Sequence, residues 1–118
     1  MIIDVLTIFP GMFNDFLNTS IIKRAREDGK VEINIHNFRD YSADKHKRVD
    51  DYPYGGGAGM VLMCQPIFDA VEALRDDDTL VIMLSPSGEV FKQEIAMDLS
   101  SKKHIILLCG HYEGFDER

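Results

Sequence analysis

The chain has 118 residues, 45% of them hydrophobic and 28% charged, with a net charge of −7. That is one domain or part of one, rich enough in apolar residues for a sizeable core, and without the basic balance of an ordinary nucleic-acid binder. Its longest apolar runs fall far short of the roughly 20 residues that span a bilayer. Cys64 and Cys109 have no CxxC or Cys/His ligand spacing, so each reads as a small buried hydrophobe in a reducing compartment. With no signal-peptide pattern at the amino terminus, the expectation is a soluble cytoplasmic protein with no membrane contact.

Met1 to Phe9 is nearly continuous in β-branched and aromatic residues, broken only by Asp4, as in a strand buried on both faces of a parallel sheet. Pro10 ends it, because proline has no ladder N–H. Met12, Phe13, Phe16 and Leu17 recur at helical spacing and predict a short helix with one apolar face. Thr19 or Ser20 is placed to cap a second helix, Ile21 to about Asp28, and Gly29 suits its carboxyl end. Lys23, Arg24 and Arg26 are most simply its solvated face.

Val31 to Phe38 alternates apolar and polar residues, a strand with one wetter face on which His36 is an ordinary polar residue. From Arg39 to about Met63 no periodicity is visible, and so long a connection in a compact domain is usually functional or disordered. Its tyrosines give it something to pack with. A helix follows from about Pro66 to Arg75, then a solvated Asp76-Asp77-Asp78 turn at the unfavourable end of the helix dipole. Thr79 to Leu84 is the third strand, Lys92 to Ser101 a helix, and His104 to Cys109 the fourth strand. The alternation predicts an α/β fold, a mostly parallel sheet with helices on both faces.

In open α/β sheets ligands sit at the carboxyl ends of the strands. Three stretches fit such a position: Asp50 to Met60 with its glycines, Leu84-Ser85-Pro86-Ser87-Gly88, and Gly110-His111-Tyr112-Glu113-Gly114. They read as one site. Gly55-Gly56-Gly57-Ala58-Gly59 is not a phosphate loop, because no GK[ST] closes it, and it lacks the dinucleotide fingerprint. Such glycines are costly to order and make most sense where backbone passes close to another surface. Tyr52 and Tyr54 offer faces for base stacking. The strand-end turns present backbone groups that can hold an adenine edge and ribose hydroxyls. Against that stands the plain reading of ordinary turns, with His111 structural and Asp116, Glu117 and Arg118 an exposed charged turn.

VDDYPYGGGAGM, the LSPSG turn and GHYEGFDER, in this order and spacing, together with TIFPGMF and FRDY, resemble the bacterial tRNA (guanine-N1)-methyltransferases. The resemblance runs from Met1 to Arg118. It implies a knotted, SPOUT-type methyltransferase domain of which residues 1–118 are the amino-terminal part. The rest of the knot and a carboxyl-terminal tRNA-binding domain are expected beyond Arg118. It implies S-adenosylmethionine bound by Leu84, Ser85, Pro86, Gly110, His111, Tyr112 and Glu113, and a homodimer with the active site between subunits. Asp50, Tyr54, Gly55, Gly56, Gly57 and Gly59 resemble the guanine-side elements, and Arg39, His46 and Arg48 would approach tRNA phosphates. Magnesium dependence is a trait of the family, although no ligand cluster here identifies a site.

The reaction this implies is methyl transfer to N1 of the guanine 3′ of the anticodon. A carboxylate would remove the N1 proton, with Glu113 and Asp50 as the candidates in this chain. Because the family's usual base lies beyond Arg118, the 118 residues are expected to be inactive alone. Two other classes remain open: a non-catalytic α/β nucleotide- or RNA-binding module, and an α/β enzyme of different chemistry. The second lacks a phosphate loop, nucleophile elbow or metal motif.

Overall fold

The computed structural model of the chain describes residues 1–43, 50–51, 61–62, 64–84 and 92–109. Four of its strands, β1 (Ile2–Thr7), β2 (Glu32–Asn37), β5 (Thr79–Leu84) and β6 (His104–Cys109), form one parallel sheet in the order β2-β1-β6-β5. The apolar runs that predicted these strands are its two central members, β1 and β6, and its edge strand β5. The register is continuous: Ile2 pairs with both Glu32 and His104, Leu6 with both His36 and Leu108, and Leu84 with Cys109. A parallel α/β sheet was expected, and it is present.

Between β1 and β2 lie a 3-10 turn (Pro10–Phe13), α1 (Asn14–Leu17) and α2 (Ser20–Glu27). The strands β3 (Asp50–Asp51) and β4 (Val61–Leu62) precede α3 (Cys64–Leu74), and α4 (Gln93–Leu99) joins β5 to β6. The steps β1 to β2 and β5 to β6 cross the sheet in the same direction, whereas β2 to β5 crosses in the other. Right-handed crossovers therefore put α2 and α4 on one face and α3 on the other. The main core lies under α3, where Leu6, Ile8, Phe38, Ile67, Ala70, Ile106 and Leu108 form one buried cluster rimmed by Tyr41, Val71 and Leu74. Complete burial of a side chain such as Leu6 or Ile106 contributes about 1.5–3 kcal/mol.

Several local expectations need correction. The amino-terminal helix buries less than its spacing promised. Phe13 and Leu17 are half-buried, but Met12 and Phe16 are 76% and 54% exposed, because a single turn cannot turn four apolar side chains inward. Thr19 is the residue before α2, yet it makes no side-chain cap; its hydroxyl donates to the Phe16 carbonyl at 2.9 Å. Gly29 ends α2 as expected. It sits at φ 72°, and the bonds from Gly29 N–H to Arg26 and from Lys30 N–H to Ala25 make a Schellman closure. The α3 helix begins two residues before Pro66, which its first turn accommodates. Both cysteines are half-buried rather than fully buried.

The segment without periodicity holds local order of its own. Asn37 Oδ1 accepts the Arg39 N–H at 2.9 Å and starts a 3-10 turn, Phe38–Tyr41. The β3 and β4 strands pair antiparallel, Asp50 with Leu62 and Asp51 with Val61. Two residues per strand are too few for any period to show.

His36 is not an ordinary surface residue. Its Nε2 lies 2.8 Å from Asp4 Oδ1, and the buried His104 places Nε2 2.6 Å from Asp4 Oδ2. Asn34 Nδ2 donates to Asp4 Oδ1 at 3.2 Å. The other ring nitrogen of His104 is 2.7 Å from Thr79 Oγ1, whose hydroxyl also reaches Asp76 Oδ1 at 3.0 Å. Burial pushes the Asp4 carboxyl up, but the hydrogen bonds from His36, His104 and Asn34 and the nearby His36 together hold it below its ordinary value. Asp76 is also held low, chiefly by the Asp78 N–H and the Thr79 hydroxyl, so this turn is structured as well as solvated. Among the described residues, no buried side-chain nitrogen or oxygen lacks a partner.

Candidate functional site

All four strands of a parallel sheet end at one edge, and here that edge is tied off differently on its two sides. At the end of β1, Thr7 Oγ1 accepts the Phe9 N–H at 3.1 Å and turns the chain away. At the end of β2, the Asn37 cap directs Arg39, Asp40 and Tyr41 into their 3-10 turn. Phe38 anchors that turn in the core, and α3 clamps it from the side. Gln65 Nε2 donates to the Tyr41 carbonyl at 2.7 Å, while its Oε1 accepts the Ala43 N–H at 3.0 Å. Arg39 is thereby held half-buried on a rigid shelf. Burial, with Asp40 and Asp4 nearby, raises Tyr41 above its ordinary value, so it stays a neutral phenol at physiological pH.

On the other side, β5 and β6 finish as direct neighbours, Leu84 opposite Cys109. The ends of the two strands, which the sequence continues as Ser85-Pro86 and Gly110-His111, are therefore adjacent. Leu84 is 52% exposed. Burial raises the Cys109 thiol, which favours the unreactive protonated form. The β5 strand has β6 on one side only, so its outer N–H and C=O groups have no strand partner among the described residues. From the end of β2 to the end of β5 the edge spans three strand spacings, roughly 14 Å.

Of the residues singled out in sequence, Leu84 and Arg39 are described with their side chains, at opposite ends of this edge. Asp50 is described as backbone, in β3, and the β3–β4 pairing brings together the two ends of the segment 52–60. Ser85, Pro86, Gly110, His111, Tyr112, Glu113, His46, Arg48, Tyr54, Gly55, Gly56, Gly57 and Gly59 lie outside the described residues, as does the stretch in which a knot is expected. The strand-end polar residues Thr7 and Asn37, and Gln65 in the first turn of α3, were not foreseen. A signal existed only for Asn37, an Asx residue directly before a turn.

Among the described residues no group of three or more His, Cys, Asp or Glu side chains could hold a metal ion. No helix among them is long and apolar enough to cross a membrane.

Residues 1–118 match the family described as tRNA (Guanine-1)-methyltransferase TrmD. Curated relatives carry the name tRNA (guanine-N(1)-)-methyltransferase. The protein from Caldanaerobacter subterraneus subsp. tengcongensis is 59% identical over 119 residues, covering 100% of this chain and 49% of that protein. Those from Dictyoglomus turgidum and Moorella thermoacetica are each 57% identical, covering 98% and 100% of this chain and 47% and 49% of their own lengths. The chain thus spans about half the length of the curated relatives it matches. A family match over every residue, carried on a parallel α/β sheet whose strand ends lead into the quoted motifs, makes this chain a member of the tRNA (guanine-N1)-methyltransferase family.

Proposed function

We propose that this chain supplies the cofactor side of an enzyme that methylates N1 of the guanine 3′ of the anticodon in tRNA. The observation that carries the reading is the direct pairing of Leu84 with Cys109. It sets side by side the two strand ends that the sequence continues into LSPSG and GHYEGFDER, the two stretches most like the family's cofactor loops.

The described residues fit S-adenosylmethionine in one respect. An exposed leucine at the end of a strand whose outer edge has no strand partner among the described residues gives an apolar wall and backbone hydrogen-bonding groups for an adenine. Leu84, Ser85, Pro86, Gly110, His111, Tyr112 and Glu113 would hold it. As a sulfonium, S-adenosylmethionine supplies an electrophilic methyl group and leaves as a neutral thioether. Guanine N1 carries a proton and is a poor nucleophile until that proton is taken. A carboxylate must take it, with Asp50 or Glu113 the candidates in this chain, while donors stabilise the charge developing on O6. Arg39, His46 and Arg48 would meet tRNA phosphates, which offsets locally the repulsion expected from a chain of charge −7. Tyr54, Gly55, Gly56, Gly57 and Gly59 would pass close to the guanine. The working protein is a cytoplasmic homodimer with a site between subunits, and the 118 residues alone are inactive.

The test is calorimetric titration of S-adenosylmethionine into this chain and into one extended to the relatives' length, with methyl transfer to a tRNA transcript measured in parallel. Binding and transfer by the extended chain alone support the reading. Transfer by the 118 residues overturns the incomplete site. Tethering of tRNA by both folded chains with no cofactor binding by either points to a non-catalytic module instead.

A further inference from the structure

The four strands are joined by helical crossovers, so no tight turn fixes how far one strand is slid along the next. Their composition fixes it poorly too. Moving β1 by two residues toward the amino end of β6 keeps every side chain on its face and sets Leu6 against Ile106 and Ile8 against Leu108, apolar against apolar as Leu6 stands against Leu108 in the observed register. Such a slip shifts the strand end by about 6.6 Å. A sheet of this kind needs something that distinguishes one register from its neighbours.

Asp4 has the geometry to do so. Its pairing partners in the ladder are Asn34 and Ile106, but its two carboxylate oxygens reach histidines staggered in opposite directions. His104, 2.6 Å from Oδ2, pairs with Ile2, one same-face position toward the amino end. His36, 2.8 Å from Oδ1, pairs with Leu6, one same-face position toward the carboxyl end. If β1 slides two residues toward the amino ends of its neighbours, Asp4 comes opposite His104 but also opposite Glu32, and leaves His36. Sliding the other way brings it opposite His36 and Leu108, and leaves His104. Only the observed register satisfies both oxygens, and a buried carboxylate or imidazole left unpartnered is costly. The constraint passes to β5 through His104 and Thr79, which pair directly and hydrogen-bond at 2.7 Å.

We infer that Asp4, held between His36 and His104, is the register pin of the sheet. It selects one alignment of four strands that apolar packing alone leaves nearly degenerate. Buried polar groups that set register at some cost in stability have precedent as a principle.

The decisive variant is Asp4→Val/His36→Val/His104→Ile, which replaces the pin by apolar side chains of suitable shape. It is expected to fold with stability similar to the parent but to show more than one set of amide resonances in β1, β2 and β6. Cross-strand NOEs should then connect residues two positions out of the native pairing. Asp4→Asn is the control: an amide can still bridge the two rings once one imidazole changes tautomer, so a single native register is expected. If the triple variant does not fold, His36→Val decides, since it removes only the half-exposed side of the pin. It is expected to add a minor state of about 1–10% in β1 and β2, seen by relaxation dispersion. A folded triple variant with one set of native NOEs overturns the proposal, as do flat dispersion profiles in His36→Val.

Discussion

The two ends of the sheet solve opposite problems. Running from the amino ends of β5 and β6 into the middle of β1 and β2, Asp4, Asn34, His36, Thr79 and His104 are drawn into one hydrogen-bonded belt that touches all four strands. Toward the carboxyl end of β5, Leu84 and Met83 are about half exposed. The belt uses polar residues to hold backbone in place. The carboxyl end of β5 leaves apolar surface uncovered among the described residues. Among the described residues, the most polar interior position belongs to the scaffold and not to the proposed cofactor edge.

Mutation should separate the two ends. The largest loss is expected from His104→Ala, which leaves the buried Asp4 carboxylate short of a donor. Breaking a buried pair from one side costs about 3–5 kcal/mol, to be read from urea denaturation. Leu6→Ala, at a fully buried core position, should cost about 2–5 kcal/mol by the same measurement.

Acid titration probes the belt without a large cavity. Folding holds the Asp4 carboxyl below its ordinary value, so the unfolded chain binds that proton more readily. Its contribution is full above the unfolded value, near 3.8, and is lost as pH falls through the folded one. Stability of the parent is expected to drop on acidification below about pH 4. In Asp4→Asn that component of the slope should disappear.

Gly29→Ala should cost about 1–2 kcal/mol, the penalty of a left-handed alanine, since a Cβ there meets no atom within 4 Å. At the other end, Leu84→Ala should leave stability within about 0.5 kcal/mol while weakening S-adenosylmethionine binding in a chain of the relatives' length. A Leu84→Ala variant that binds the cofactor as tightly as the parent would separate β5 from the cofactor site.

The strands and most helices were legible because each announces itself within a dozen residues. Apolar runs marked β1, β5 and β6, alternation marked β2, and Gly29 marked the end of α2. What escaped was long-range or very short. The partners Asp4 and His104 are 100 residues apart, and in the one-dimensional pattern the aspartate is a flaw in an apolar run. His36 looked like a residue of a wet face because its partner lies on another strand. The β3–β4 ladder is shorter than any period, and the exposure of Met12 and Phe16 depends on how little α1 can cover. For the site, sequence pointed to the strand ends, and the sheet order then made β5 and β6 neighbours there. Arg39 was named as a cation; the Asn37 cap beside it is a local Asx turn that the sequence hinted at, but the Gln65 clamp on the same turn belongs to tertiary packing.

The position of β6 also has a consequence for synthesis. Of these four strands β1 leaves the ribosome first; β2 becomes available to one of its edges after about thirty residues, yet its other edge waits for β6. At about 5–20 residues per second, the intervening hundred residues take roughly 5–20 s to emerge. Throughout that interval an apolar strand stands with one side uncovered, able to pair with any extended chain nearby. The nascent protein is thus exposed to mispairing for seconds before its sheet closes, and a holding chaperone would act on it in that window.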